Sequence, residues 1–246
     1  MGNSMRKMVL PIVHLAVFSA LLLIPAMICL SPVEAGKIIE PIRPFPQSTG
    51  NNLESSSDFS FAELGGFHFD LVRRYSLSYG VDFRIILAII KQESQFNSEA
   101  LSDRGARGFM QLMPVTNAEI AEELQLSNPE LPKRNLKAGI YYFAKLYELF
   151  KGLRDEDRLS FTLAAYNAGP GRIYDAQELA AFLGEDPTRW VSIQNVLPLL
   201  SKRYYSLHQI VWEKKKPRSG YFGEWRQTLE YVGNVSKTYR SYLNQL

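Results

Sequence analysis

The sequence predicts an all-α, mainly helical domain with at most a small β-hairpin, and three observations predict it. From Phe67 onward apolar residues recur at helical spacing, and no segment alternates with the period of two that a half-buried strand requires. The run from Phe83 to Ile90 is apolar on nearly every face, the mark of a buried central helix. Asp82, Pro114 and Gly169-Pro170-Gly171 then punctuate the chain where helices must start and stop.

The elements follow in chain order. Arg6 and Lys7 precede an apolar stretch from Met8 to Leu30, and Val33-Glu34-Ala35-Gly36 supplies a small-residue cleavage site. Residues 1–35 therefore read as a signal peptide cut at Ala35–Gly36. The stretch is long for that role, so an uncleaved signal anchor is the alternative; Pro11 and Pro25 are tolerated in a spanning helix. Cys29 follows Ala26-Met27-Ile28, and the bulk of Ile28 argues against lipid attachment there. Both readings export the chain, to the periplasm or cell envelope, with membrane contact through an inner-membrane anchor in the second. Residues 36–66 are a flexible Pro/Ser-rich linker, marked by Pro41, Pro44, Pro46 and Ser55-Ser56-Ser57. The domain proper is residues 67–246. Its expected helices run from Phe67 to Ser78, from the Asp82 cap to Glu93, and from Pro114 to about Gln125. Further ones span Asn135–Phe150, Leu159–Ala168, short pieces between Ile173 and Trp190, Val191–Val211 and Glu224–Leu243.

Composition narrows the function classes. A chain of 246 residues with a net charge of +3 suits one domain with appendages and lacks the dense basic face of a nucleic-acid binder. Cys29, the only cysteine, lies in the export segment, so the mature chain has no disulfide, cysteine nucleophile or thiolate metal site. Outside that segment only His68 and His208 remain, and neither stands in a metal-ligand spacing, which disfavours a zinc hydrolase.

The candidate acid is Glu93, in Ile90-Lys91-Gln92-Glu93-Ser94-Gln95-Phe96 at the end of the apolar helix. Burial against apolar walls and the negative end of a helix dipole both disfavour a carboxylate, and both raise its pKa. A general acid needs that shift to stay protonated near neutral pH. Position alone favours an ordinary solvated glutamate; the surrounding blocks reverse that. Gly105-Ala106-Arg107-Gly108-Phe109-Met110-Gln111-Leu112-Met113-Pro114 follows Ser102, and Ala164-Ala165-Tyr166-Asn167-Ala168-Gly169-Pro170 comes later. The glycines allow tight turns and close approach to a sugar ring. Gln111 can donate and accept hydrogen bonds, Tyr166 offers an aromatic face and a phenol, and Asn167-Ala168-Gly169 ends a helix. Each of these alone is more often plain loop or core.

Together they closely resemble the soluble lytic transglycosylase family. Its pattern runs E-S-x-F, then S-x-x-G-A-x-G-L-M-Q-L-M-P, then A-Y-N-A-G-P; only Phe109, for leucine, departs within those blocks. The resemblance implies a lysozyme-like lytic transglycosylase domain acting on peptidoglycan, with Glu93 catalytic and Ser102, Met110, Gln111, Tyr166, Asn167, Ala168 and Tyr231 lining the glycan cleft. It also implies one carboxyl in place of the usual pair. Glu93 first protonates the oxygen between N-acetylmuramic acid and N-acetylglucosamine. It then accepts the proton of the C6 hydroxyl that closes a 1,6-anhydro ring. No metal or organic cofactor is needed.

Two departures stand out. The family's E-T-x-x-Y-V block reads Gln227-Thr228-Leu229-Glu230-Tyr231-Val232, so the role of that first glutamate cannot be carried over. The segment around 196–224 is extended and carries Lys214-Lys215-Lys216-Pro217-Arg218 beside Trp212, Tyr221, Phe222 and Trp225. It reads as a solvated basic loop, or more sharply as a contact for anionic wall polymer or lipid headgroups. Two other functions stay open: a hydrolytic muramidase of the goose-lysozyme type, with Asp103 as a conceivable water-activating group, and a non-catalytic glycan-binding protein of an envelope machine. Peptidoglycan strands are the expected partner throughout. The sequence does not separate wall recycling from service to a secretion apparatus.

Overall fold

The computed structural model describes residues 68–246; the expected export segment and linker lie outside the described residues. Nine α-helices are present among them: α1 (Phe69–Ser78), α2 (Phe83–Ser94), α3 (Pro114–Glu123), α4 (Pro132–Leu149), α5 (Asp155–Ala168), α6 (Pro170–Phe182), α7 (Trp190–Val196), α8 (Tyr205–Val211) and α9 (Trp225–Gln245). The mainly helical prediction is borne out. In place of a hairpin there are two isolated antiparallel bridges, Leu101 to Arg107 and Arg107 to Leu112, inside the glycine-rich loop.

Helix α2 is the axis. The six residues from Ile85 to Ile90 are all 0% exposed, so protein covers every side of this helix. Burying each of its isoleucine and leucine side chains stabilises the fold by about 1.5–3 kcal/mol. Asp82 caps it as expected, its carboxylate accepting from Arg84 N at 2.9 Å and from the Arg84 guanidinium at 2.8 Å. Tyr239 of α9 donates to the same carboxylate at 3.0 Å, so the start of α2 is fastened to the last helix. Helix α9 packs along both α2 and α5, and α4 lies against α1 and α5.

Boundaries differ from expectation where local signals were under-read. Helix α4 begins at Pro132, a residue suited to a first turn because its missing N–H has no intrahelical partner anyway. Helix α5 begins at Asp155, where Asp155, Glu156 and Asp157 complement the positive end of the dipole. The short pieces expected after Ile173 are one helix, α6. The long helix expected over Val191–Val211 is instead α7, two 3-10 turns (Leu197–Leu200 and Lys202–Tyr204) and α8. Pro198 cannot donate the helical hydrogen bond, and Ser201 is extended at φ −72°, ψ 153°.

Candidate active site

Glu93 sits in the last turn of α2, and the chain leaves that helix abruptly. Gln95 and Phe96 both adopt the left-handed region, at φ 50° and 64°, which carries the loop away and leaves the Glu93 carboxyl at the helix end. Its side chain is partly open to solvent yet crowded by protein on its other sides. Burial is the main reason its pKa rises from 4.5 to about 7; the nearby phenol of Tyr231 pulls weakly the other way. That phenol is buried and meets full hydrogen-bond geometry with no group, so its approach to Glu93 is a loose one. Contacts of this kind are often long before substrate arrives.

Two tyrosines accompany Glu93. Tyr231 comes from α9 and Tyr166 from the end of α5, and the phenol pKa of each is raised, first by burial and then by the charge of Glu93. Both stay neutral phenols across the physiological range. Tyr166 already spends its proton on the carbonyl of Met110, at 2.8 Å. Neither the loop nor α5 holds that geometry alone; the bond joins residues 56 positions apart.

The glycine-rich loop is a built structure. Ser102 closes its tip: its hydroxyl accepts from Ala106 N at 3.0 Å, and its carbonyl accepts from Gly105 N at 2.9 Å. Gly108 lies at φ 77°, and a Cβ there would come within 2.5 Å of the Asn135 side-chain oxygen, so only glycine fits. Asn135, at the start of α4, reaches into the loop and donates to Arg107 O at 3.2 Å. Gln111 donates its amide to Ala100 O and Gly108 O, both at 2.9 Å. Its donors are thus committed to the loop, and what it has left for a sugar is acceptor capacity. Met110 is 0% exposed and packs against Gly139 of α4; its side chain lies behind the wall, and only its carbonyl serves the site through Tyr166. Met113 is 43% exposed at the start of α3.

On the opposite side, Asn167 accepts from Thr228 at 2.7 Å, which locks the end of α5 to α9. Ala168 is buried at 9% exposure, and its carbonyl accepts from Arg172. Gly169 follows at φ 88°, ψ 143°, a conformation open in practice to glycine alone, and turns the chain into α6. Gln227 and Glu230 are both exposed, and neither figures among the groups acting on Glu93. Asp103 is exposed on the loop. Beside it Arg104 pairs with Glu224 at the foot of α9, so loop and last helix meet by their tips as well as around Glu93. Asn135 and Thr228 were missed as site residues; the glycine at 108 and the threonine of the last block were the only signals for them.

A helical domain that holds a carboxyl, shifted to about 7, beside two neutral phenols at a helix end offers a candidate general acid/base site. Residues 70–187 match the family model described as Transglycosylase SLT domain. Those residues form a domain of the lytic transglycosylase family. The chain is 42% identical over 136 residues to the membrane-bound lytic murein transglycosylase F of Desulfosudis oleivorans, covering 55% of this chain and 29% of that one. It is 35% identical over 168 residues to the protein of the same description from Histophilus somni, covering 67% and 32%. The chain thus spans about a third of the length of the relatives it matches. Among solved structures, the 70 kDa soluble lytic transglycosylase of Escherichia coli aligns with 26% identity and a TM-score of 0.49, over 72% of this chain and 24% of that one.

Proposed function

We propose that this chain is a peptidoglycan lytic transglycosylase that cleaves the bond between N-acetylmuramic acid and N-acetylglucosamine without water. The observation that carries the proposal is the state of Glu93, a carboxyl poised near pH 7 by burial. Around it stand phenols, and no second carboxylate contributes to its shift. A hydrolytic pair would need another acid facing the sugar, and the conceivable one, Asp103, is exposed on the loop.

The steps use this chain's own groups. Glu93, protonated, gives its proton to the glycosidic oxygen, the C1–O bond breaks, and the sugar's 2-acetamido oxygen stabilises the cation at C1. Glu93, now ionised, takes the proton of the muramoyl C6 hydroxyl as that oxygen bonds to C1. A 1,6-anhydro end results and the enzyme is returned to its starting state. A pKa near the working pH lets one residue serve in both directions. Tyr166 fixes the loop wall through Met110, and Gln111 offers an acceptor to sugar hydroxyls. Asn167, with its oxygen held by Thr228, presents its amide hydrogens. Ser102 and Ala168 shape the two ends of the walls, and Tyr231 backs Glu93.

Mass spectrometry of digested sacculi tests the reading. Anhydro ends are expected from the native chain, and Glu93→Gln should lose at least ~100-fold of the activity, the scale of a lost general acid. Reducing ends would instead mean hydrolysis. Full activity in Glu93→Gln would remove Glu93 from the chemistry.

Export to the envelope belongs to the same proposal. The relatives are described as membrane-bound, and among the described residues no helix is long and apolar enough to cross a membrane. Residues 8–30 remain the candidate anchor.

A further inference from the structure

The net positive charge of this chain is concentrated in one place. Residues 202–216 hold Lys202, Arg203, Lys214, Lys215 and Lys216 against a single acid, Glu213, while the whole chain has 28 basic and 25 acidic residues. Outside this stretch the balance is therefore 23 against 24. The lysines are not on a loose loop. Trp212 and Pro217 are buried on either side, and residues 213–216 between them are all exposed.

Helix α6 holds both roots. The Asp175 carboxylate, 2% exposed, accepts from the backbone N–H of Arg218 at 3.1 Å and of Ser219 at 2.8 Å. Glu178 accepts from the Trp212 indole at 2.8 Å and pairs with the Arg218 guanidinium at 2.9 Å. Within the turn Lys215 N donates to Trp212 O at 2.8 Å, and Lys215 takes the left-handed conformation, φ 58°. A turn built only to connect two helices requires no such fastening of its base.

Helix α8 lies between the two basic groups, with Lys202 and Arg203 just before it and the lysine turn just after. Seven residues make it about 10 Å long. Tyr205, 53% exposed, and Ile210, 71% exposed, stand at the two edges of its solvent face, about 140° apart round the axis, with Ser206 and Gln209 exposed between them. His208, on the side turned to the protein, is fully buried. Cations thus bracket a pair of exposed apolar side chains.

We propose that α8 and the 212–217 turn form a docking surface for an anionic lipid bilayer. Tyr205 and Ile210 enter the boundary between headgroups and acyl chains, and the five cations meet headgroup phosphates. A short helix lying flat, with exposed apolar side chains on its open face and basic residues at both ends, can meet a charged bilayer in the interfacial manner. An anionic wall polymer would satisfy the cations equally well, but a hydrophilic chain offers an exposed isoleucine nothing. That difference selects the bilayer. Docking here is separate from the lytic chemistry, since none of these residues touches Glu93 or its walls as described above.

The test uses the full chain, with Cys29→Ser and Gln209→Cys placing one environment-sensitive fluorophore on the exposed side of α8. Vesicles of phosphatidylcholine are compared with vesicles containing phosphatidylglycerol. The N-terminal apolar stretch can enter both, so a difference between them reports the patch. Emission should shift blue on the anionic vesicles only. Replacing Lys214, Lys215 and Lys216 together with glutamine should weaken the response at least ~10-fold in lipid concentration, and rising salt should abolish it. The triple variant should still cleave soluble glycan, which separates failure of this proposal from failure of the lytic one. The same emission on both vesicle types, or a shift on anionic wall polymer with none on vesicles, would overturn the docking surface.

Discussion

The raised pKa of Glu93 has a consequence for stability as well as for the proposed chemistry. Between pH 4.5 and about 7 the folded chain keeps a proton on this carboxyl that the unfolded chain has released. Folded-state stability from this group is therefore complete below about pH 4.5 and is lost as pH rises through about 7. A shift of that size corresponds to at most about 3 kcal/mol. Glu93→Gln, which cannot ionise, should leave urea stability unchanged at pH 4 and raise it by about 1–3 kcal/mol at pH 8. Equal effects at both pH values would mean that the carboxyl is not shifted. Tyr231 acts on the same equilibrium from the other side, because its phenol favours the ionised carboxylate. Tyr231→Phe should therefore move the alkaline limb of the pH–activity profile to higher pH, with the acid form of Glu93 persisting further. A limb that moves to lower pH would assign Tyr231 the opposite influence.

At the scale of the element, α6 is an anchor as much as a packing helix. Asp175 is nearly inaccessible, and its two oxygens hold two backbone N–H groups of the 212–222 segment. Asp175→Ala leaves both donors without that acceptor, a loss of about 1–3 kcal/mol for each one left buried and unsatisfied. Brief trypsin digestion should then cut after Lys214 or Lys215 well before the native chain is cut there. Unchanged cleavage would show that the turn holds its shape without α6. Element boundaries were legible where a local rule decides them. Asp82 is a cap by residue type, Pro114 a first-turn residue, and Gly169 a stop, and each stands where the sequence puts it. The 191–211 region was misread because apolar spacing continues through Pro198, and continuity of pattern outweighed the one residue that cannot donate.

The site as a whole was legible only in part. Glu93 and Tyr166 could be singled out as candidates because each lies in a contiguous block. The connections that make them a site could not, since they run between distant residues. Asn135 reaches the loop across 28 positions, Thr228 reaches Asn167 across 61, and Arg104 meets Glu224 across 120. No local pattern encodes such pairs; they exist only once helices have docked. The Met110 side chain shows the reverse case, a residue inside the strongest block that the fold turns into the core. Ending the chain after Glu224 tests how far the whole depends on its last helix. Lysis should be undetectable, and near-ultraviolet circular dichroism should lose much of its signal as α2 and α5 are uncovered. Retained lysis would mean that Tyr231 and Thr228 are dispensable.

Helix α9 also fixes a moment in the life of the molecule. It leaves the ribosome after both α2 and α5, and it brings Tyr231 toward Glu93, the partner of Asn167 and, at its foot, the partner of Arg104. A chain still being made carries Glu93 on an uncovered helix, solvated like any other glutamate and equipped for nothing. The candidate site comes together only after α9 has been made and has docked against α2 and α5.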